Sequence, residues 1–190
     1  MFTLRYATPP DWAPAALEDF DAFLLDHASC ERKASAVGLS FVVRYPDRTA
    51  LIEPMIQFSR EELEHYHQVC KLILERGLVF TSDEPDEYVN TFMKAVRTGR
   101  EERLLDRLIV SSLIEARGAE RLNLVTQALT DPKLQAFYSR LTRAEDHHKD
   151  FFLEIARLYF SEITITQRLG ELLDKEAEAI RSVPNRSALH

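Results

Sequence analysis

The chain's 190 residues carry 24 Lys plus Arg against 31 Asp plus Glu, a formal net charge of −7. That length suits a single domain, residues 1–190, with a substantial core, and the charge argues against a uniformly basic nucleic-acid clamp. No run approaches the ~20 apolar residues of a membrane span, Met1-Phe2-Thr3-Leu4-Arg5 lacks a signal pattern, and Cys30 and Cys70 form no Cys-x-x-Cys pair; a cytoplasmic, soluble protein without a zinc ribbon or rubredoxin-type iron site is expected.

With only five glycines and an abundance of Leu, Ala, Glu and Arg, the composition favours helix throughout. Pro9, Pro10 and Pro14 confine the N-terminal segment, and a first helix starting near Asp11 or Pro14 should run to Arg44, with a turn at Tyr45-Pro46-Asp47. A second helix spans about Thr49 to Arg76 and ends at Gly77, a residue suited to closing a helix. Leu78 to Pro85 reads as a loop, and a short helix from about Asp86 to Arg97 completes a long crossover. A third long helix covers about Gly99 to Leu129, Thr130-Asp131-Pro132 breaks it, and a fourth continues from Lys133 to about Tyr159. Ile165 to Arg181 forms a last amphipathic helix, and the tail from Val183 to His190 reads as frayed.

Two copies of Glu-x-x-His stand on the second and fourth helices: Glu62-Leu63-Glu64-His65 and Glu145-Asp146-His147-His148. Positions i and i+3 share a helix face, so each copy aims one carboxylate and one imidazole at the same point. Each also follows an earlier helical glutamate at nearly the same distance, Glu31 lying 31 residues before Glu62 and Glu115 lying 30 before Glu145. Four helices thereby supply six ligands, Glu31, Glu62, His65, Glu115, Glu145 and His148. This is the donor set of a carboxylate-bridged di-metal centre in a ferritin-like four-helix bundle. The expected fold is therefore all-α and ferritin-like, with the crossover between helices 2 and 3 and extra helices around the bundle.

Hairpin geometry tests this choice. Glu31 lies 15 residues before Pro46 and Glu62 lies 16 after it, so the two share a height in an antiparallel pair. Glu115 and Glu145 lie 17 before and 13 after Pro132. The competitor Glu120 is about 140° around the helix from Glu115. A lone Glu-x-x-His is most often part of a solvated face; two such motifs with matched upstream glutamates are better explained by metal. Glu61, Glu64, His67 and His147 fall off the ligand face, whereas His27, one turn before Glu31, can take an outer hydrogen bond to a ligand or simply pack. Ser111, Ser112, Gly118, Ala119, Ala34 and Ser35 near the ligands are small, which serves either open space beside the metals or close helix packing.

The stretches Leu25–Ala34, Arg60–His65, Gly99–Arg107 and Leu113–Gly118 resemble the bacterial tRNA hydroxylase family MiaE, over almost the whole chain. The resemblance implies a ferritin-like fold with two non-haem iron ions (manganese being an alternative occupant), and an oxygen-dependent monooxygenase with an external electron donor such as a reductase or ferredoxin-type protein. It implies a tRNA substrate, hydroxylated on the isopentenyl group of 2-methylthio-N6-isopentenyladenosine beside the anticodon, and the family's metal ligands carry over onto the same six residues. Arg97, Arg100, Arg103 and Arg107, at spacings of three and four that can align them on one side of the third helix, form a candidate RNA-binding face, with Arg117, Arg121, Arg140 and Arg143 as further candidates. Surface ion pairs with Glu101, Glu102 and Asp106 are the slightly favoured reading of the first group from the residues alone, and the resemblance raises the RNA-binding reading without locating it. The competing classes are a rubrerythrin-like peroxidase, an iron-oxidising ferritin and a helical adaptor. A peroxidase of that kind is disfavoured by Gly118 where an additional ligand is wanted, a ferritin by the absence of a cage-forming pattern, and an adaptor by six unexplained ligands.

Overall fold

A computed structural model describes residues 2–184 and 186–190; Met1 and Asn185 lie outside the described residues. Among those described, the regular elements are all helices: α1 (Trp12–Glu18), α2 (Phe20–Arg44), α3 (Thr49–Glu75), α4 (Glu87–Met93), α5 (Arg100–Ala128), α6 (Pro132–Arg157) and α7 (Glu162–Ser182). None is long and apolar enough to cross a membrane. The boundaries follow the breakers read from the sequence, with corrections: the crossover helix expected from about Asp86 to Arg97 ends at Met93, and the last helix begins at Glu162, before the expected Ile165. The expected first helix is two, because Asp19 leaves helical geometry (φ −125°, ψ 80°) and its carboxylate accepts the Ala22 N–H at 3.0 Å. A short polar side chain that caps a new helix can end the preceding one without Pro or Gly.

The chain divides into two compact units, one of residues 15–84 and 187–189, the other of residues 2–14, 85–186 and 190. In the first, α2 and α3 form an antiparallel hairpin around fully buried Phe23, Leu24, Phe41, Leu51, Met55, Val69 and Ile73. Each such side chain contributes roughly 1.5–3 kcal/mol by leaving water. The helices approach closely at Gly38, where an added Cβ would meet the Ser59 hydroxyl and lie 2.9 Å from the Met55 carbonyl. α3 closes on Gly77 at φ 71°, with Leu78 N–H bonded to Ile73 O and Gly77 N–H to Leu74 O, a Schellman arrangement that glycine accepts without strain. The start of the crossover is tied back to α2, since Asp83 accepts the Ser29 hydroxyl at 2.8 Å and pairs with Arg32.

In the second unit α5 and α6 form the other antiparallel hairpin, with Leu104, Leu108, Ile109, Leu113, Val125, Tyr138 and Phe152 fully buried. Asp131 starts α6 by accepting the Lys133 and Leu134 N–H groups, with Pro132 in the first turn. α4 and α7 complete the unit. Tyr88 of α4 donates its hydroxyl to Glu176 of α7 at 3.1 Å, and Ser161 caps α7 at Thr164 N–H.

The tail departs from its frayed reading. Ala188, Leu189 and His190 are buried; the Leu189 N–H bonds Asp26 at 2.7 Å, and the His190 ring lies 3.2 Å from the Asp86 carboxylate and packs on Tyr88. These partners are more than 100 residues distant, so nothing in the tail's own composition announces them.

Candidate metal centre

The α2–α3 hairpin gathers four chemistry-bearing side chains. Glu31 and Glu62 are 4% and 0% exposed, His27 and His65 0% and 8%. The His65 Nδ1 lies 3.5 Å from the Glu62 carboxylate and 3.7 Å from that of Glu31, so the i, i+3 motif and the opposite helix converge as the spacing predicts. His27 Nε2 lies 2.6 Å from Glu31 Oε1. Burial pushes the Glu31 carboxyl up, but hydrogen bonds from His27 and His65 and the charge of His27 outweigh it and hold the group well below the usual carboxylate range. An ionised carboxylate only accepts, so the proton of that short contact sits on His27. One turn beyond Glu31 the Ser35 hydroxyl donates to the Ser59 carbonyl at 2.8 Å, one turn before Glu62, and pins the two helices together at this height.

The α5–α6 hairpin repeats the device, with its upstream glutamate less deeply buried. Glu145 and His148 are buried, with His148 Nδ1 3.3 Å from Glu145 Oε2. Ser112 of α5 donates its hydroxyl to the Lys149 carbonyl, next to His148, as Ser35 does in the first hairpin. Glu115 is half-buried on α5, one turn along from Ser112. The competing Glu120 is engaged elsewhere: it accepts the Thr8 N–H at 3.1 Å and the Thr8 hydroxyl at 2.7 Å, and it pairs with Arg117.

The small residues serve both expected purposes. Ser35 and Ser112 are packing contacts, whereas Gly118 has no heavy atom within 4 Å of where a Cβ would stand. Glu61, Glu64, His67 and His147 are exposed, as their helical positions require. Cys30 and Cys70 are free thiols; Cys30 lies 3.7 Å from Asp26.

The arginines divide. Arg97 grips the fully buried Asp106 through its backbone N–H at 2.9 Å and its guanidinium at 2.7 Å, and Arg168 reaches the same carboxylate at 2.8 Å. That is the ion-pairing alternative realised: Arg97 latches the crossover onto α5 and α7. Arg100 lies 4.0 Å from Glu101, Arg103 is exposed and Arg107 is half-buried. Arg117 and Arg121, expected on a basic face, are instead 0% and 3% exposed. Arg117 donates to Glu176 at 2.9 Å, also fully buried, and to the Tyr6 carbonyl at 2.7 Å, while Arg121 stacks 4.5 Å over the Trp12 ring. Sequence reasoning missed this network because Glu176 lies 59 residues from Arg117 and reads as one more surface charge of an amphipathic helix.

Carboxylate oxygens and imidazole nitrogens, buried and without thiolate, suit iron or manganese better than soft metals. The donor chemistry of both hairpins therefore fits a metal centre.

A family model described as tRNA-(MS2IO6A)-hydroxylase (MiaE) matches residues 2–190. Two curated proteins, from Pseudomonas putida and Salmonella typhimurium, bear the name tRNA 2-(methylsulfanyl)-N(6)-isopentenyladenosine(37) hydroxylase. Each is 33% identical to this chain; the first alignment covers 96% of the chain and 89% of the relative, the second 98% and 87%. Among solved structures, Protein 43 with aldehyde deformylating oxygenase activity from Synechococcus superposes with a TM-score of 0.95 at 31% identity, over 100% of this chain and 96% of that one. The fold is the all-α, ferritin-like architecture expected from the sequence.

Proposed function

Because the chain belongs to the MiaE family of tRNA hydroxylases, we propose that it is a tRNA-modifying monooxygenase that hydroxylates the isopentenyl group of 2-methylthio-N6-isopentenyladenosine beside the anticodon. The observation that carries this reading is the match of the family model to residues 2–190, in a chain whose two hairpins each bury a Glu-x-x-His pair. In this reading residues 1–190 act as one cytoplasmic catalytic domain. Glu31, Glu62 and His65 of one hairpin and Glu115, Glu145 and His148 of the other hold two iron ions, or manganese in their place.

The bound ions would supply activation of dioxygen, which amino-acid side chains do not perform by themselves. The chain's own residues prepare and protect the site. Ser35 and Ser112 fix the helix pairs within a turn of the ligands, so little motion is left for binding to arrest. His27 donates to Glu31 and sets which carboxylate oxygen faces the site, an outer interaction of the kind that tunes metal affinity. Burial of the ligands excludes water and with it unproductive oxidation. A hydroxylation leaves one oxygen atom of dioxygen in the alcohol and the other in water, consuming two electrons and two protons. The electrons come from an external reductase or ferredoxin-type donor, since the two free cysteines are the only thiols in the chain. The acidic net charge is compatible with an RNA substrate because four of the carboxylates are ligands that metal neutralises.

The test is anaerobic iron reconstitution followed by a single turnover with oxygen and prenylated tRNA, read by mass spectrometry of the nucleosides. A gain of one oxygen atom on the isopentenyl adenosine is expected. Stoichiometric iron with an unchanged nucleoside would sink the substrate assignment and redirect attention to peroxide reduction or iron oxidation.

A further inference from the structure

Residues 2–8 form a strap along the α5–α6 hairpin. Thr8 is bonded to Glu120, the Tyr6 carbonyl to Arg117, and Arg5 pairs with Asp174 of α7. Beside this strap lies an open cavity of about 610 Å³, within the roughly 300–1,000 Å³ usual for small-molecule sites. Phe2 and Leu4 of the strap and Ala116 and Ala119 of α5 give it apolar walls, and Arg143 and Lys149 of α6 bring cations to its edge.

Its position on the helices is informative. Ala119 is one turn beyond Glu115, and Lys149 one turn beyond Glu145, at i+4 and hence on the same faces. Glu120, Arg143 and His147 of the same lining lie off the ligand faces, so it is the Ala119–Lys149 wall of the cavity that comes within a helical turn of two proposed metal ligands. Glu120, a carboxylate in its lining, is ion-paired with Arg117 and bonded to Thr8. Arg143 is exposed, with its guanidinium 2.9 Å from the Ser139 hydroxyl.

We propose that this cavity receives the prenylated adenosine of the RNA, the five-carbon tail running past Ala116 and Ala119 towards Glu115 and the flanking phosphates meeting Arg143 and Lys149. The inference rests on the tRNA-hydroxylase reading and adds where the substrate sits. An isopentenyl tail has no polar atom and needs the small apolar wall. Unstacked loop bases are usually held on aromatic planes, and Phe2 provides one in the lining. RNA phosphates need cations, and this edge supplies two on a chain that is acidic as a whole.

The experiment measures binding of two anticodon stem-loop oligoribonucleotides, one carrying isopentenyladenosine and one carrying plain adenosine, to the iron-loaded 190-residue chain under anaerobic conditions. Iron content and melting temperature are read for every variant. The wild-type chain should prefer the prenylated loop. Arg143→Glu should weaken both loops about tenfold and lower the salt slope by about one, whereas Lys71→Glu, an exposed charge reversal on α3, should stay within about twofold of wild type. Ala119→Leu should erase the preference for the prenylated loop by filling the wall, and Asn123→Leu, at an exposed position of the same lining, does so without burdening the core if Ala119→Leu folds poorly. Unchanged affinity in Arg143→Glu, or an undiminished preference in the cavity-filling variants that retain iron, overturns the inference while leaving the hydroxylase reading standing. A wild-type chain that fails to discriminate the loops overturns that reading, and the inference with it.

Discussion

The two long hairpins place the same residue types at matching positions, yet they are packed differently. In α2–α3 the helices meet at Gly38, Ser35 is bonded across to Ser59, and Glu31, Glu62 and His65 lie within hydrogen-bonding or near-contact range of one another, with His27 behind them. In α5–α6 the Glu145–His148 pair is as buried, but Glu115 is only half-buried, Gly118 faces open space and a cavity runs alongside. The difference teaches that one set of residue types can stand in two kinds of surroundings. In α2–α3 the three proposed ligands are all buried, whereas in α5–α6 Glu115 is less enclosed and the cavity alongside leaves room for something to approach. The buried Arg117–Glu176 pair and the strap that Arg117 and Glu120 hold fasten that side of the second hairpin.

The strongest way to break this picture is to remove a proposed ligand from each hairpin. Glu62→Ala and His148→Ala should each abolish stoichiometric metal binding, read as iron per chain after reconstitution; full metal content in both variants would refute the proposed ligand set. Next in size is Arg117→Ala, which leaves the carboxylate of Glu176 buried without its cation. It should cost about 3–5 kcal/mol in urea unfolding, the usual penalty for an uncompensated buried charge, and a loss below 1 kcal/mol would show that the network contributes little. His27→Ala sharpens the contrast between the hairpins, since it removes the hydrogen bond to Glu31 while sparing the proposed ligands. A 10- to 100-fold loss of metal affinity is expected, roughly the effect of removing such an outer partner; an unchanged titration would assign His27 to packing alone. The smallest effects have opposite signs. Gly38→Ala forces a methyl into the α2–α3 contact and should destabilise by about 1–3 kcal/mol. Gly118→Ala meets no neighbour and should stabilise α5 by roughly 0.5–1 kcal/mol. Equal shifts in melting temperature for the two would erase the distinction between the close contact at Gly38 and the open space at Gly118.

Much of the fold was legible because helices are local. Pro46, Gly77 and Pro132 mark breaks through φ preferences and missing N–H groups that act within a turn or two, and the observed helices end close to where these residues place them. The split at Asp19 was not legible, since an aspartate caps only when its neighbours let the backbone bend, and the same residue sits comfortably on a helix surface. The convergence of Glu31, Glu62 and His65 was readable because hairpin register and the i, i+3 rule fix it together. The burial of Arg117 and Arg121 was not, because a guanidinium enters a core only when a distant carboxylate, here Glu176, arrives to meet it.

By itself, then, the sequence determined which segments are helical, which six side chains are candidate ligands and, through its likeness to one family, the chemistry to test. These depend on interactions between near neighbours along the chain or on patterns that ancestry preserves. Only the tertiary structure decided that Glu120 belongs to Thr8 and Arg117, that Arg97 latches onto Asp106, that the last residues are docked and that a cavity opens beside Ala119. The docked tail and the Thr8–Glu120 bond join residues far apart in the chain, and even between nearer charges such as Arg97 and Asp106 which charge meets which is settled by the packing of the whole, where burial makes an unmatched partner too costly to leave.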